Sequence, residues 1–452
     1  MGQSGYLTLV NSTDTAWKKT YQHSYQMDVW DFPTVIEAKT SISVYIEWKQ
    51  KKNSKTFNDA GEVVYALEGT NNSFEIQAAA QNGLDLQVYF SQLTTHSYQN
   101  RAQFSLGWNS KGYVSFILSG IDGHYSSTNL NGSSWMQDNI ALLGTKKIKE
   151  ICIPGTHHAG MNVKTSHTFG ATNCNTLTQT RNIREQLQLG ARFLDITPVL
   201  KDGSYYAGNY RKIEAVCSWQ GATGQSIDHI IEDINAFTAV RKELVIIHVS
   251  NSLNLDAEDT MYQPFTSAEW HDLLKKLSYV KNRFFSLQKN NLTTKTLNDF
   301  IALKAAVVFV VADTVELGNY NGKGFFKLSS LQLQSSDSHT HQIAKMASNH
   351  WRNMASQPTA NFLLLWILKQ TTFQASTCFL GTNSSLKELA NEVNQQLPEQ
   401  VYSKVTATTF PNVILQNNMI TSDAAAFAMA LNWKIHQPIK TYNNYIKEKI
   451  TD

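Results

Sequence analysis

Ile153-Pro154-Gly155-Thr156-His157-His158-Ala159-Gly160-Met161 is the stretch on which the reading of this chain turns. It closes an isoleucine-rich segment, Ile148 to Ile153, that reads as a short buried strand. Pro154-Gly155 is a turn signal, and two histidines follow it. Strand ends that hand a titratable group to a cleft are where α/β barrels keep their chemistry. Histidine is the side chain best able to take and return a proton near neutral pH. Two adjacent histidines after a turn are also ordinary polar loop residues, so the functional reading depends on what surrounds them.

Downstream, Phe193 to Val199 reads as the next strand, and by strand parity Asp195 shares a face with Phe193 and Thr197. Further apolar runs at Leu244–Val249, Ala306–Ala312, Phe362–Leu368 and Val413–Leu415 alternate with helical patterns at Ile183–Leu189, Ile227–Val240, Ala268–Lys276, His341–Met354, Leu386–Gln396 and Ala424–His436. Single apolar strands separated by helices indicate a parallel sheet of an α/β unit, which the resemblance given below makes a TIM-like (β/α) barrel, irregular in form. Upstream the period changes to two. Ile42, Val44, Ile46 and Trp48 alternate with polar neighbours, as do Leu84, Leu86, Val88 and Phe90. Short strands of this kind predict an all-β sandwich over residues 1–122. Tyr21 to Met27 lacks clean alternation and reads as a loop. The Gly- and Ser-rich segment 123–134 reads as a linker, and 135–452 as the barrel.

Composition narrows the function. The 452 residues are 42% hydrophobic and 17% charged, a globular balance, and the net charge of +3 gives no nucleic-acid footprint. No signal peptide is seen, so a cytoplasmic place or a non-classical route of secretion is expected. Four cysteines are too few for a disulfide scaffold. The oligomeric state is not readable.

Taken together, the histidine loop, Gly190-Ala191-Arg192-Phe193-Leu194-Asp195-Ile196, Trp219 to Ser226, Lys242 to His248, Ala347 to Trp351 and Pro411 to Ile414 resemble, in order, the phosphatidylinositol-specific phospholipase C family of the X-domain type, in particular fungal-type members with an N-terminal β-domain. The resemblance runs from about Trp135 to Thr421 and implies a barrel of the phospholipase C-like phosphodiesterase kind. It implies a reaction in which one histidine takes the proton of the inositol 2-hydroxyl, a second gives one to the leaving oxygen, and a cation steadies the phosphate. It also implies a Cys174–Cys217 disulfide, with Cys152 and Cys378 as free thiols.

His157 matches the first histidine, the general base, and Asp195 the strand carboxylate. Around them the pattern is broken. His158 stands where the family has Asp or Asn, Thr197 where it has Arg or a calcium-binding Asp, Asn209 at the second histidine, Asn251 at a fungal histidine, and Asn417 near the late-strand Asp that orients the base. Asparagine cannot act as an acid, and threonine supplies neither positive charge nor a good calcium ligand. No cofactor and no metal is therefore expected, calcium least of all. Tyr205, Tyr206, Trp219 and Trp366 could line a ring-binding pocket. His248, with Ser250 on its face, could join His157, His158 and Asp195 in a new proton relay or metal site, or be an ordinary core histidine. The expected function is a degenerate phospholipase C-like protein that binds a phosphoinositide, polyol or glycan, with a membrane surface as a further partner. The alternatives are a metal-independent phosphodiesterase of altered specificity, and a storage or defence protein that reuses the fold.

Overall fold

The computed structural model describes residues 3–49, 61–80, 83–213, 218–257, 262–288, 291–335, 340–381 and 383–436. The chain forms two compact units. The first runs to Leu130 and takes in Asn394–Ala407 and the described residues from Ala426 to His436; the second holds Asn131–Val393 and Thr408–Ala425. The expected division, which gave everything after residue 135 to the barrel, is thus amended. Late segments pack on the first strand of the first unit: the Ser12 hydroxyl donates to the Ala430 carbonyl (2.6 Å) and the Tyr402 hydroxyl to that of Asn11 (3.3 Å).

In the first unit, one sheet runs His124–Ser127, Tyr113–Ile121, Gln3–Thr13, Thr40–Trp48, Met27–Trp30, and the other Val35–Ile36, Trp17–Ser24, Gly61–Leu67, Ser73–Ala79, Asp85–Ser91, Gln103–Gly107. The period-2 positions make their shared core: Val44 and Ile46, Val63 and Tyr65, Phe74 and Ile76, with Trp17 at its centre. Two expectations need correcting. Tyr21-Gln22-His23-Ser24 is strand; its alternation is blurred because the register with Gly61–Leu67 shifts between Lys19 and Tyr21, a β-bulge. The presumed linker begins with a strand, His124–Ser127, folded back on Tyr113–Ile121 through the turn at Asp122-Gly123.

The second unit is built on an eight-stranded sheet whose order follows the chain around a ring. Ile153–Thr156, Phe193–Ile196, Leu244–Val249, Ala306–Val311 and Phe325–Lys327 are neighbours in succession, then Leu333–Ser335, Asn361–Trp366 and Val413–Gln416, the last pairing back onto the first. All these pairings are parallel, including Phe193–Ile196 on Leu244–Val249. A seam falls between Phe325–Lys327 and Leu333–Ser335, which are not neighbours in the sheet. This is the expected α/β barrel, closed in order and open at one seam. Ile148–Glu150 is a 3-10 turn, and the strand starts at Ile153, so Pro154 and Gly155 lie within it and do not turn the chain.

Parity sorts the strand residues. Leu194, Ile196, Val245, Ile247, Val307 and Phe309 pack outward onto the helices. The Ile227–Thr238 helix meets them with Ile227, Ile230, Ile231 and Ile234 at helical spacing, and its first turn is capped by Ser226, whose hydroxyl accepts the His229 amide (3.3 Å). The alternate residues, Phe193 and Ile246 among them, face a small interior void with Ile153 and Val413. Asp195 and His248 follow on that inward face, at the C-terminal ends of their strands.

Candidate active site

Strand ends place the first group of side chains. His157 follows the Ile153–Thr156 strand, and its backbone N–H donates to the Gln416 carbonyl of the adjacent strand (2.9 Å). Its Nδ1 lies 3.1 Å from Asn417 Oδ1, and its Nε2 lies 3.9 Å from Asp195 Oδ2. Asp195 Oδ1 lies 3.0 Å from His248 Nδ1, its partner in strand register. One carboxylate thus stands between two imidazoles. Burial raises the Asp195 pKa, but the hydrogen bond and charge of His248, with His157 behind it, hold the carboxyl well below the usual range.

His158 takes a left-handed backbone conformation (φ 42°), which a non-glycine residue adopts at a cost. The turn is braced from outside: Thr178 donates to the His158 carbonyl (3.0 Å) and Gln179 to that of His157 (2.9 Å). The His158 ring packs against His157, with centroids 4.0 Å apart, and Nδ1 faces the Thr197 hydroxyl at 3.4 Å. Burial first, then the charge of His157, pushes its pKa down to about 3, so the ring is neutral at physiological pH. Thr197 in turn bonds Ser250 (2.9 Å), as strand parity expects. The loop presses so closely on the antiparallel ribbon of Ser204–Ile213 and Ser218–Ser226 that a Cβ at Gly160 would lie 2.4 Å from Ala207 Cβ.

Beside Thr197 and Ser250 opens a cleft of about 610 Å³. Its walls are aromatic: Tyr210, Trp219, Tyr262, Phe265 and Trp270. Polar groups come from Asn251, Ser252, Thr314 and Glu316, and no lysine or arginine is among the described lining residues. The Trp219 Nε1–H is buried with no hydrogen-bond partner among the described residues.

The other expected site residues fall differently. Asn209 turns away: its amide donates to the Thr176 carbonyl (2.9 Å). Trp366 does not line a pocket; it is wholly buried, and its indole N–H donates to the Val393 carbonyl (2.9 Å). Tyr206 sits half-buried on the ribbon opposite Val199 and is not among the cleft residues. Tyr205 is core, its hydroxyl donating to the Glu269 carbonyl. His248 positions Asp195 and is not in the cleft wall. Cys174 is bonded to Cys378, not to Cys217, because the segments after the first and seventh barrel strands meet; Cys217 lies outside the described residues, and Cys152 is a buried thiol. Sequence reasoning missed Tyr262, Phe265, Trp270 and Glu316 as cleft residues, and no spacing signal ties them to the histidine loop.

His157, His158 and Asp195 offer ligand atoms within 4.8 Å of one another. Calcium, which the resemblance associates with this place, does not fit the set: it wants six to eight oxygens, and here two of three donors are imidazole nitrogens.

No family model matches the chain, and no curated protein matches it. Among solved structures it is similar to a phosphatidylinositol-specific phospholipase C of Staphylococcus aureus (TM-score 0.48, 13% identity, covering 67% of this chain and 98% of that one) and to that of Listeria monocytogenes (TM-score 0.43, 15% identity, 67% and 99%).

Proposed function

We propose that the barrel mouth binds a phosphate-linked polyol or glycan, the class to which phosphoinositide headgroups belong, and turns it over poorly. The observation that carries this reading is an imbalance. The base side is assembled: His157 is oriented by Asn417 and faces Asp195, which His248 holds. The acid side lacks the family's groups, with Asn209 spent on a backbone carbonyl, Thr197 tied to Ser250, and no lysine or arginine among the described cleft-lining residues. Losing one general acid costs roughly 10²–10⁴-fold in rate, and losing the charge at the phosphate a comparable factor. A second reading, a metal-independent phosphodiesterase, draws on the two imidazoles that share the Asp195 carboxylate.

Release of inositol phosphate from phosphatidylinositol vesicles, with and without calcium, tests both. The wild type is expected to release little or none, with no response to calcium. N209H/T197R/H158D, which restores the residue types of the family pattern at these positions and requires the introduced histidine to turn from the Thr176 carbonyl toward the mouth, should exceed it by at least roughly tenfold, less than one general acid is worth. Wild-type turnover of about 1 s⁻¹ or more, an ordinary enzyme rate, overturns the first reading in favour of the second.

A further inference from the structure

At the end of the barrel away from His157, three connections meet side by side. Residues 239–243 lead into the Leu244 strand, 302–305 into the Ala306 strand, and 279–283 run along the latter, with Arg283 bridging Val307. They are laced together: Asn282 donates to the Thr238 carbonyl (3.1 Å), the Asn235 side chain accepts the Lys281 amide (2.8 Å) and donates to the Tyr279 carbonyl (3.2 Å), and the Ala306 amide donates to the Glu243 carbonyl (3.1 Å). Each presents an apolar side chain to solvent beside a cation. Val240 is 71% exposed next to Arg241 and Lys242, Tyr279 68% near Lys281, and Leu303 89% next to Lys304; all four cations are exposed. Glu243, the one carboxylate in these segments, is fully buried against Arg192 (2.8 Å) and offsets none of them.

Single exposed apolar residues need no explanation, but three on adjoining loop tips, each with its own cation and no exposed acid within the loop segments themselves, form a patch of one kind. We propose that this end of the barrel docks on an anionic lipid bilayer. The Val240, Tyr279 and Leu303 side chains enter the boundary between headgroups and acyl chains, where apolar groups and amphipathic rings are at home. Arg241, Lys242, Lys281 and Lys304 stay among the phosphates, each attracted by the negative surface. An acidic protein surface matches the charge but leaves three separated apolar tips uncovered, which is why the bilayer is the better fit. The mouth then faces solution, so this docking rests on a mouth ligand that arrives from the aqueous side and not from the same bilayer.

Co-sedimentation of the full chain with vesicles tests it, using phosphatidylcholine alone or mixed with phosphatidylserine. The fraction bound should rise several-fold with phosphatidylserine and fall with added salt. R241E/K242E/K281E/K304E should abolish the rise. V240S/L303S, which changes no charge, should weaken binding but keep its salt dependence. Equal sedimentation on both vesicles, or undiminished binding by the charge-reversed protein, overturns the proposal. So does binding lost on F169S/F373S, at the barrel's other end, in place of the patch variants. Patch-dependent binding to heparin without binding to vesicles would make the partner a soluble polyanion and overturn it as well.

Discussion

The Phe193–Ile196 and Leu244–Val249 strands carry a pair of partnered side chains at each end, and the two pairs are built on opposite principles. Before the strands, Arg192 and Glu243 meet at 2.8 Å with both side chains fully buried. The guanidinium also donates to the carbonyls of Leu187, Ala191 and Gly132, and the carboxylate accepts the amides of Met136 and Gln137. After the strands, Asp195 and His248 meet at 3.0 Å, His248 is 20% exposed, and His157 waits at 3.9 Å. The first pair has its hydrogen-bonding capacity taken up by the fold. The second brings two imidazoles to one carboxylate, at 3.0 Å and 3.9 Å, at the ends of the strands where the histidine loop lies. The same two strands thus separate anchoring from chemistry by the length of a strand.

This contrast can be broken most forcefully at the anchored end. Glu243→Ala leaves Arg192 buried and uncompensated, and should cost about 3–5 kcal/mol in chemical denaturation. Asp195→Asn at the open end should cost far less stability while abolishing what turnover or ligand affinity the mouth has. Comparable losses of stability in both variants would erase the distinction.

Acid sharpens the comparison next. The folded-state pKa of His158 is depressed to about 3, below the unfolded value of ~6.5. Above ~6.5 both states are neutral and stability is fully present; as pH falls from there toward 3 the unfolded chain takes up a proton that the folded chain refuses, and stability is lost. The depressed Asp195 carboxyl adds a loss of the same sign below ~3.9, its ordinary value. Between pH 7 and 4 the wild type should lose roughly 1–3 kcal/mol more than His158→Asn, a bound set below the full shift because the ring keeps some solvent contact. Parallel denaturation curves for the two proteins across that range would refute the assignment. The smallest expected effect belongs to Asn209→Ala, which removes one hydrogen bond to the Thr176 carbonyl. It should cost about 0.5–1.5 kcal/mol and leave ligand affinity in calorimetry unchanged. A large drop in affinity would return Asn209 to the site.

What was legible in the sequence follows from which signals are local. The Phe193 and Leu244 strands announced themselves as apolar runs, and strand parity alone put Asp195 with Thr197 and His248 with Ser250, as the Asp195–His248 and Thr197–Ser250 contacts bear out. Phe325–Lys327 and Leu333–Ser335 are three residues each, too short to leave a period, and were not expected. Where Asn209 points depends on a carbonyl 33 residues away, and the burial of Trp366 on the helix above it. The cleft escaped for the same reason, since Tyr210 and Trp219 come from the ribbon and Tyr262 to Trp270 from a later connection.

The Cys174–Cys378 bond spans 204 residues of chain and makes a lasso of the barrel. Six of the eight strands, Phe193–Ile196 through Asn361–Trp366, lie inside the closed loop, while Ile153–Thr156 and Val413–Gln416 lie outside it. Even fully unfolded, the six cannot drift apart as a free chain would, a restraint of about 5 kcal/mol in chain entropy for a loop of this size. The two strands left outside pair with each other, and they are the ones that hold His157 and Asn417. The covalent bond therefore secures the bulk of the ring and leaves the contact that orients the base to non-covalent forces alone.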